Sequence, residues 1–227
     1  MKTSPKQFKF IFGLNALFAI TGFAIQFVIN LFDLVQYVDV GDYPTLLGGH
    51  PAGAAGAIGR LTDSFSYFTI WSNLIVFGVM FALYRNPNRD SFIFRVLRLD
   101  SLLMITITGV IYHILIRPYF PPISWNVYSD IFLHTITPLL TVLVWLLIGP
   151  RGLVNLKIVF YSLVIPIIWL IYSMLRGVVI SKYPYDFLDV ITHGYLTVVI
   201  TILVLLVIGL LVAMFYLLLD KLLSTKK

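Results

Sequence analysis

Six long apolar runs, separated by short polar breaks, constrain the fold of this chain more than any other feature. Each run has about the 20 residues that a helix needs to cross the ~30 Å hydrocarbon core of a bilayer. Because a backbone in lipid must satisfy its own hydrogen bonds, the runs predict an all-α bundle of six transmembrane helices. The predicted spans are residues 8–30, 66–84, 95–117, 129–148, 157–179 and 193–219. They make residues 1–227 a single transmembrane domain.

The composition excludes several other classes of protein. Only 11% of the 227 residues are charged, against about 25% in soluble domains, so a soluble enzyme, a disordered tail and a coiled coil are excluded. The absence of Cys excludes disulfides, thiolate metal sites and Cys nucleophiles. The net charge of +6 comes from Lys and Arg scattered at helix ends, which argues against a nucleic-acid partner. Such residues more often set membrane topology.

The distribution of Lys and Arg predicts the orientation in the membrane. If the N-terminus is cytoplasmic, twelve of these residues lie inside and only Arg60, Arg117, Arg176 and Lys182 lie outside. By the positive-inside rule, this bias predicts a multi-pass protein of the cell membrane with both termini in the cytoplasm. The long connection over residues 31–65 is then external.

Two further features of the chain bear on its shape. The connection 31–65 is rich in Gly and Ala, which is compatible with a mobile cap over the outer face or with a slack linker. We favour the linker. Pro138 and Pro166 fall inside predicted spans, where a missing N–H predicts a kink.

Polar side chains cluster in the outer half of every predicted span. At 1.5 Å per residue, Thr69 lies roughly 5 Å and His134 roughly 7 Å below the start of their spans, and His113 about 6 Å from the end of its own. His193 opens the last span. Since ionisable groups in hydrocarbon usually face the protein interior or a wet cavity, we expect Thr69 and these three His to surround one outer-leaflet pocket. The inner halves look almost wholly apolar.

Each of these residues also has an ordinary structural interpretation. A single Thr in a membrane helix usually bonds its own backbone or packs against another helix, and a His near a helix end is usually interfacial. Asp130 can cap a helix, and Arg117 and Arg176 can extend to lipid headgroups. The shared depth on six helices favours a functional pocket, because independent structural roles do not explain it.

The residue types in this pocket fit a hydroxyl nucleophile better than a metal. The His lie on different helices without HExxH or HxH spacing, so we expect no metal and no other cofactor. Thr69 or Ser72 can supply a hydroxyl, a His the general base and Asp130, four residues before His134, the group that orients the ring. Asn73 or an Arg pair can hold an oxyanion or an anionic headgroup.

Three strings in the chain resemble a known family. They are SYFTIWSN at residues 66–73, DIFLHTITP at 130–138 and YPYDFLDV at 183–190, the last followed by Gly194-Tyr195. In this order, they resemble the bacterial predicted six-transmembrane protein family. That family is more distantly similar to the eukaryotic androgen-induced membrane proteins, which hydrolyse fatty acid esters of hydroxy fatty acids. By motif position, the resemblance implies Thr69 as an intramembrane nucleophile and His134 as its partner, and leaves His113 and His193 unassigned.

The sequence thus predicts a membrane hydrolase that cleaves lipid esters from the outer leaflet. Thr69 attacks and His134 transfers the proton, Asp130 or Asp189 orients the ring, and Arg117 or Arg176 holds a headgroup. Ser72, Asn73, His113 and His193 are supporting candidates, and membrane lipid is both the environment and the expected substrate. The alternatives are a transporter or binding protein that uses the same pocket without chemistry, and an assembly partner. The oligomeric state is not predicted.

Overall fold

Residues 8–35 and 46–224 are described by the structure, a computed structural model. Six helices long and apolar enough to cross a membrane confirm the predicted number of spans, and the described residues contain no strand. The helices are α1 (Lys9–Phe32), α2 (Ala57–Ser64), α3 (Phe68–Arg85), α4 (Phe92–Ile116), α5 (Asn126–Leu147), α6 (Leu156–Ile180) and α7 (Val190–Ser224), all but the short α2 being candidate spans.

Three apolar clusters hold the described part of the bundle together, and the third joins Trp169 of α6 to Tyr183, Leu188, Val190 and Val198 around the start of α7. In the first, the fully buried side chains of Val76, Met80 and Leu83 on α3 pack with Ala19 of α1 and Ile105 of α4. The second joins the inner parts of α4, α5, α6 and α7, with members that include Leu103, Val159, Trp145 and Ala213. Burying an aliphatic side chain contributes about 1.5–3 kcal/mol in water, but in lipid close packing matters more. The bundle is therefore tight around α3 and α4.

The outer half of α7 stands apart from this packing. Between Ile191 and Ile208 only Val198 is buried, whereas Ala213, Tyr216 and Leu217 are buried in the inner half. The backbone of Gly194 leaves helical geometry at φ 75°, a region that L side chains rarely adopt. This glycine therefore separates the first turn of α7 from the long helix that follows.

Both predicted kinks occur one turn before their prolines. Pro166 has no N–H for the carbonyl four residues earlier, and α6 is interrupted there, at Ser162 and Leu163. Pro138 likewise leaves the carbonyl of His134 without its α-helical partner. The segment Ile131–Ile136 widens into a π-helix, after which the Thr137 N–H bonds the Phe132 carbonyl.

The connection over residues 31–65 is not slack in its described part, so that interpretation was wrong. Helix α2 docks on the end of α1 through Arg60, which is 2% exposed. Its guanidinium donates to the carbonyl oxygens of Asn30 (2.8 Å), Pro51 (2.8 Å) and Gly53 (2.5 Å). Three acceptors around one buried cation fold this segment into an ordered cap. Residues 36–45 lie outside the described residues.

The inner half of the bundle is more polar than the sequence analysis expected. Asn15, Arg98, Asp100 and Asp220 are all at most 2% exposed there. Asp220 accepts two backbone N–H groups of the α5–α6 connection, both at 2.9 Å. Neither carboxylate oxygen of Asp100 has a hydrogen-bond partner among the described residues.

The predicted orientation still rests on the charge count. Four of the residues counted in that argument lie outside the described residues: Lys2, Lys6, Lys226 and Lys227.

Candidate functional site

A chain of two hydrogen bonds joins Thr69, His134 and Asp130. Oγ1 of Thr69, in the first turn of α3, lies 3.1 Å from Nε2 of His134 on α5. Nδ1 of the same ring lies 2.8 Å from Oδ1 of Asp130. A carboxylate only accepts, so Nδ1 carries the ring proton, and Nε2 accepts the Thr69 hydroxyl. This is the arrangement of a hydroxyl nucleophile, a base and an orienting acid.

Tyr112 fixes the plane of the imidazole. Its ring stacks on that of His134 with centroids 3.6 Å apart and planes 9° from parallel, and its hydroxyl interacts with Asp130. Tyr112 begins a π-helical segment of α4 (Tyr112–Ile116), and His134 lies in the π-helical segment of α5. Such wide turns frequently occur at functional sites. Here two of them bring the stacked pair together.

Ser72 and Asn73 hold the backbone of Thr69. The Ser72 hydroxyl donates to the Thr69 carbonyl (2.9 Å) and bonds Thr108 (2.9 Å). The Asn73 amide donates to the carbonyls of Thr69 (2.9 Å) and Leu133 (3.2 Å). Both side chains are therefore engaged in positioning, and the geometry offers neither Ser72 as the nucleophile nor the Asn73 amide as an oxyanion donor.

Tyr185, from the α6–α7 connection, supplies a further hydroxyl beside Thr69. Its oxygen accepts the Phe68 N–H at 3.1 Å and interacts with the Thr69 side chain. Burial raises the pKa of Tyr185 to about 12, so the phenol keeps its proton at neutral pH. A protonated hydroxyl beside Thr69, at the N-terminus of α3, is a ready donor to a developing negative charge.

The start of α3 is anchored from α6. Trp169 Nε1 and Ser173 Oγ both donate to the Ser66 carbonyl, at 3.0 and 3.2 Å. Arg176 donates to Ser66 Oγ at 3.0 Å and pairs with Asp63 of the cap. The structure thus engages Arg176 in holding the cap and α3 together instead of leaving it free for a headgroup.

Two other predicted residues, His113 and Arg117, lie near His134 and Asp130. His113 bonds Thr135 at 3.2 Å and lies within electrostatic range of His134. The exposed Arg117 lies within electrostatic range of Asp130, at the outer rim. Of the two predicted headgroup residues, Arg117 is the exposed one, whereas Arg176 is engaged by Ser66 and Asp63.

His193 and Asp189 are not brought to Thr69, contrary to expectation. His193 pairs with Asp186 at 3.1 Å. Asp189 caps the first turn of α7 by accepting from the N–H of Ile191 (2.8 Å) and the hydroxyl of Thr192 (2.9 Å). The non-helical backbone at Gly194 detaches this turn from the long helix, so depth along the sequence does not place it in the pocket.

An apolar cleft, partly open to the surroundings, leads away from Thr69 between α4, α6 and α7. The polar side chains of its lining all lie towards the outer end: Thr69, Thr108, Tyr112, Trp169 and Tyr185. The opposite end is wholly apolar. The hydrogen-bonded chain of Thr69, His134 and Asp130 therefore lies beside a long hydrophobic cleft.

Within the part of the chain that the structure describes, no three His or Asp side chains come together as a metal site. Comparison of the chain with protein-family models, curated proteins and solved structures gives no match.

Sequence reasoning overlooked Tyr112 and Tyr185 as site residues. Both had signals: Tyr112 directly precedes His113, and Tyr185 lies in one of the three quoted strings. Their interactions depend on contacts between distant helices, such as the stacking of α4 on α5. A position in the sequence does not reveal such contacts.

Proposed function

We propose that the protein is a membrane-embedded hydrolase of lipid esters, with Thr69 as its nucleophile and His134 as its general base. The observation that carries this proposal is the Thr69–His134–Asp130 chain, at 3.1 and 2.8 Å, at the end of an apolar cleft. A hydroxyl activated by an oriented imidazole suits acyl transfer, and the cleft suits a lipid. The resemblance to six-transmembrane proteins related to fatty acid ester hydrolases agrees with this reaction.

The first half of the reaction forms an acyl-enzyme. Thr69 Oγ attacks the ester carbonyl carbon while Nε2 of His134 takes the hydroxyl proton. The negative charge that develops on the carbonyl oxygen is stabilised by the Tyr185 hydroxyl. Collapse of the tetrahedral intermediate breaks the bond to the alcohol oxygen, which leaves with the proton from His134.

The second half regenerates the enzyme. A water molecule attacks the Thr69 ester as His134 accepts one of its protons. Collapse then releases the carboxylic acid and returns the proton to Thr69 Oγ. Throughout both halves Asp130 keeps Nδ1 protonated and stabilises the imidazolium.

Arg117 is the residue placed to bind an anionic group of the substrate. It is exposed at the outer rim, close to Asp130 and so to the reacting centre. A guanidinium at this level can pair with a carboxylate or a phosphate. A lipid with its ester at Thr69 and an acid group near the outer surface satisfies both ends of the site.

Hydrolysis of lipid esters by protein purified in detergent tests the proposal. Wild-type protein should release fatty acid, and Thr69→Ala should not. Thr201→Ala is the matched control, because Thr201 is another intramembrane threonine and its hydroxyl bonds only its own helix, at the Thr197 carbonyl. Equal hydrolysis by Thr69→Ala and wild type would reject the mechanism.

The buried Asp100 favours a second candidate, proton- or cation-linked transport. Neither of its carboxylate oxygens has a partner among the described residues, and intramembrane acids commonly mark ion pathways. Asp100 lies roughly 12 Å deeper along α4 than Thr108, which is bonded to Ser72 near Thr69. Asp100→Asn should therefore leave ester hydrolysis unchanged, whereas loss of substrate uptake into vesicles with hydrolysis intact would favour the transporter.

A further inference from the structure

The end of the apolar cleft away from Thr69 is lined by residues of three helices. Leu103 of α4, Leu163 at the break in α6 and Gly209 of α7 line this end. A Cβ built on Gly209 would meet Leu163 Cδ2 at 3.8 Å, which is ordinary van der Waals contact. Gly209 therefore lies against Leu163, and its missing side chain leaves room at the bottom of the cleft.

The length of the cleft below Thr69 follows from α4. Tyr112, which stacks on the imidazole bonded to Thr69, marks the reacting level, and Leu103 marks the bottom. Nine residues at 1.5 Å each separate them, or roughly 13 Å. Half of the ~30 Å hydrocarbon core is about 15 Å, so the cleft has nearly the depth of one leaflet.

From these observations we infer that the cleft holds the acyl chain of the ester, and that Gly209 and Leu163 limit the length of that chain. The acyl carbonyl then lies at Thr69 and the chain runs inward past Leu206 to Gly209, while the alcohol part of the ester lies towards Arg117. This inference rests on the proposed hydrolase function. An acyl chain fits because the lining of the cleft deeper than Thr108 is apolar and continuous.

The space at Gly209 also accounts for the packing of α7. The outer half of this helix is hardly buried against the bundle, and the cleft lies beside it. An unoccupied apolar space between helices forfeits contacts on both sides, and a chain entering from the leaflet restores them. The outer half of α7 is thus one wall of the acyl site.

A series of para-nitrophenyl esters, from acetate through hexanoate and decanoate to palmitate, tests the assignment. Gly209→Leu fills the bottom of the cleft, so hydrolysis of decanoate should fall about tenfold or more relative to hexanoate, with acetate unchanged. Leu163→Ala enlarges the same end and should shift the preference towards longer chains. Val207→Phe adds bulk to the lipid-facing side of α7 (Val207 is 56% exposed) and should leave the series unchanged.

The opposite effects expected of Gly209→Leu and Leu163→Ala distinguish a change in chain-length selectivity from misfolding. An unfolded variant loses activity on all chain lengths, whereas Leu163→Ala is expected to gain activity on long chains. An unchanged chain-length profile in both folded variants would overturn the acyl-site assignment.

A second readout does not depend on catalysis. A fatty acid with a photoreactive diazirine at its methyl end should crosslink to Leu163 or Gly209 themselves, located residue by residue by fragmentation of the labelled peptides, in Thr69→Ala protein as in wild type. Crosslinks confined to lipid-facing residues of α7, such as Val207 and Leu211, would overturn the acyl site. Failure of the hydrolase proposal would instead appear as crosslinking at Gly209 without turnover of any ester.

Discussion

In the proposed mechanism the Thr69 hydroxyl passes its proton to His134 Nε2, which lies 3.1 Å away. Asp130 and Tyr112 orient the imidazole from two directions, by a hydrogen bond and by stacking. Each of these groups acts through the same ring. We therefore expect the effects of removing them to be strongly non-additive.

Single and double substitutions test this unit. His134→Ala should lower the rate of ester hydrolysis by about 10²–10⁴-fold, because the general base is lost. Thr69→Ala should remove turnover, Thr69→Ser should retain part of it, and the double variant should lose little more than Thr69→Ala alone. Initial rates on one lipid ester provide the measurement. Fully additive losses would contradict a shared mechanism.

The same unit predicts the sign of the pH dependence. His134 accepts a proton only when its ring is neutral, so hydrolysis should fall on the acid side as the ring becomes protonated. Tyr185, whose pKa burial raises to about 12, keeps its proton through neutral and mildly alkaline pH. We expect no loss of activity from Tyr185 in that range.

Tyr185→Phe tests the proposed oxyanion donor. The variant keeps the ring but loses the hydroxyl near Thr69, so kcat should fall by about 10²–10³-fold, as for removal of one donor from an oxyanion hole. KM should change little, because the acyl cleft remains. Tyr195→Phe, on the exposed surface of α7 (68% exposed), is the matched control. Equal kcat values for Tyr185→Phe and wild type would remove this role.

At the level of single residues, the sequence predicted that some of the site residues come together. Thr69, His134 and Asp130 were predictable because their spacing and depth follow directly from helix geometry. His193 was misplaced since the same geometry fails at Gly194, where the backbone is not helical. Arg176 was misassigned because its partner, Asp63, lies in the cap and is remote in sequence.

Helix α2 and its buried arginine connect the outer end of α1 to the start of α3. Arg60 binds the carbonyl of Asn30, while Asp63 in the same short helix pairs with Arg176 and His50. Since Arg176 also donates to Ser66, the cap is linked to the segment that leads into Thr69. The cap is therefore expected to help position Thr69 as well as to stabilise the fold.

Arg60→Ala should destabilise the protein strongly. It leaves three carbonyl groups and the nearby Asp33 without their cation, and breaking a buried charged contact costs about 3–5 kcal/mol. Thermal unfolding in detergent measures the effect. Arg60→Lys should recover only part of the loss, because one ammonium cannot reproduce the guanidinium geometry. Arg89→Ala, at an exposed turn, is the control, and equal melting temperatures for Arg60→Ala and Arg89→Ala would show that the cap contributes nothing.

Elements were predictable to different degrees for physical reasons. The six spans follow from apolar length alone, and both kinks follow from Pro138 and Pro166. The cap was not predictable, because its Gly- and Ala-rich sequence gives no periodic signal and its order comes from the tertiary contacts of Arg60. The π-helical turn Tyr112–Ile116 has the same local explanation, because Pro118 follows its end by two residues as Pro138 follows Ile136, and the Arg117 N–H bonds the Tyr112 carbonyl.

The whole molecule is a six-span bundle whose predicted orientation places the Thr69 site in the outer leaflet. A chain without Cys allows that orientation to be tested with single introduced thiols. Tyr119→Cys (Tyr119 is 75% exposed) should react with a membrane-impermeant maleimide on intact cells. Arg89→Cys should react only after permeabilisation. The reverse pattern would place the site in the cytoplasmic leaflet, and equal labelling on one side would contradict six spans.

Covalent labelling of Thr69 tests the central claim, that this hydroxyl is an activated nucleophile, most directly. Protein in detergent is treated with a fluorophosphonate, and the modified peptide is identified by mass spectrometry. We predict one adduct on Thr69, absent from Thr69→Ala, strongly reduced in His134→Ala and undiminished in Thr201→Ala. No adduct on the wild type, or an equal adduct in Thr69→Ala and wild type, would contradict the account.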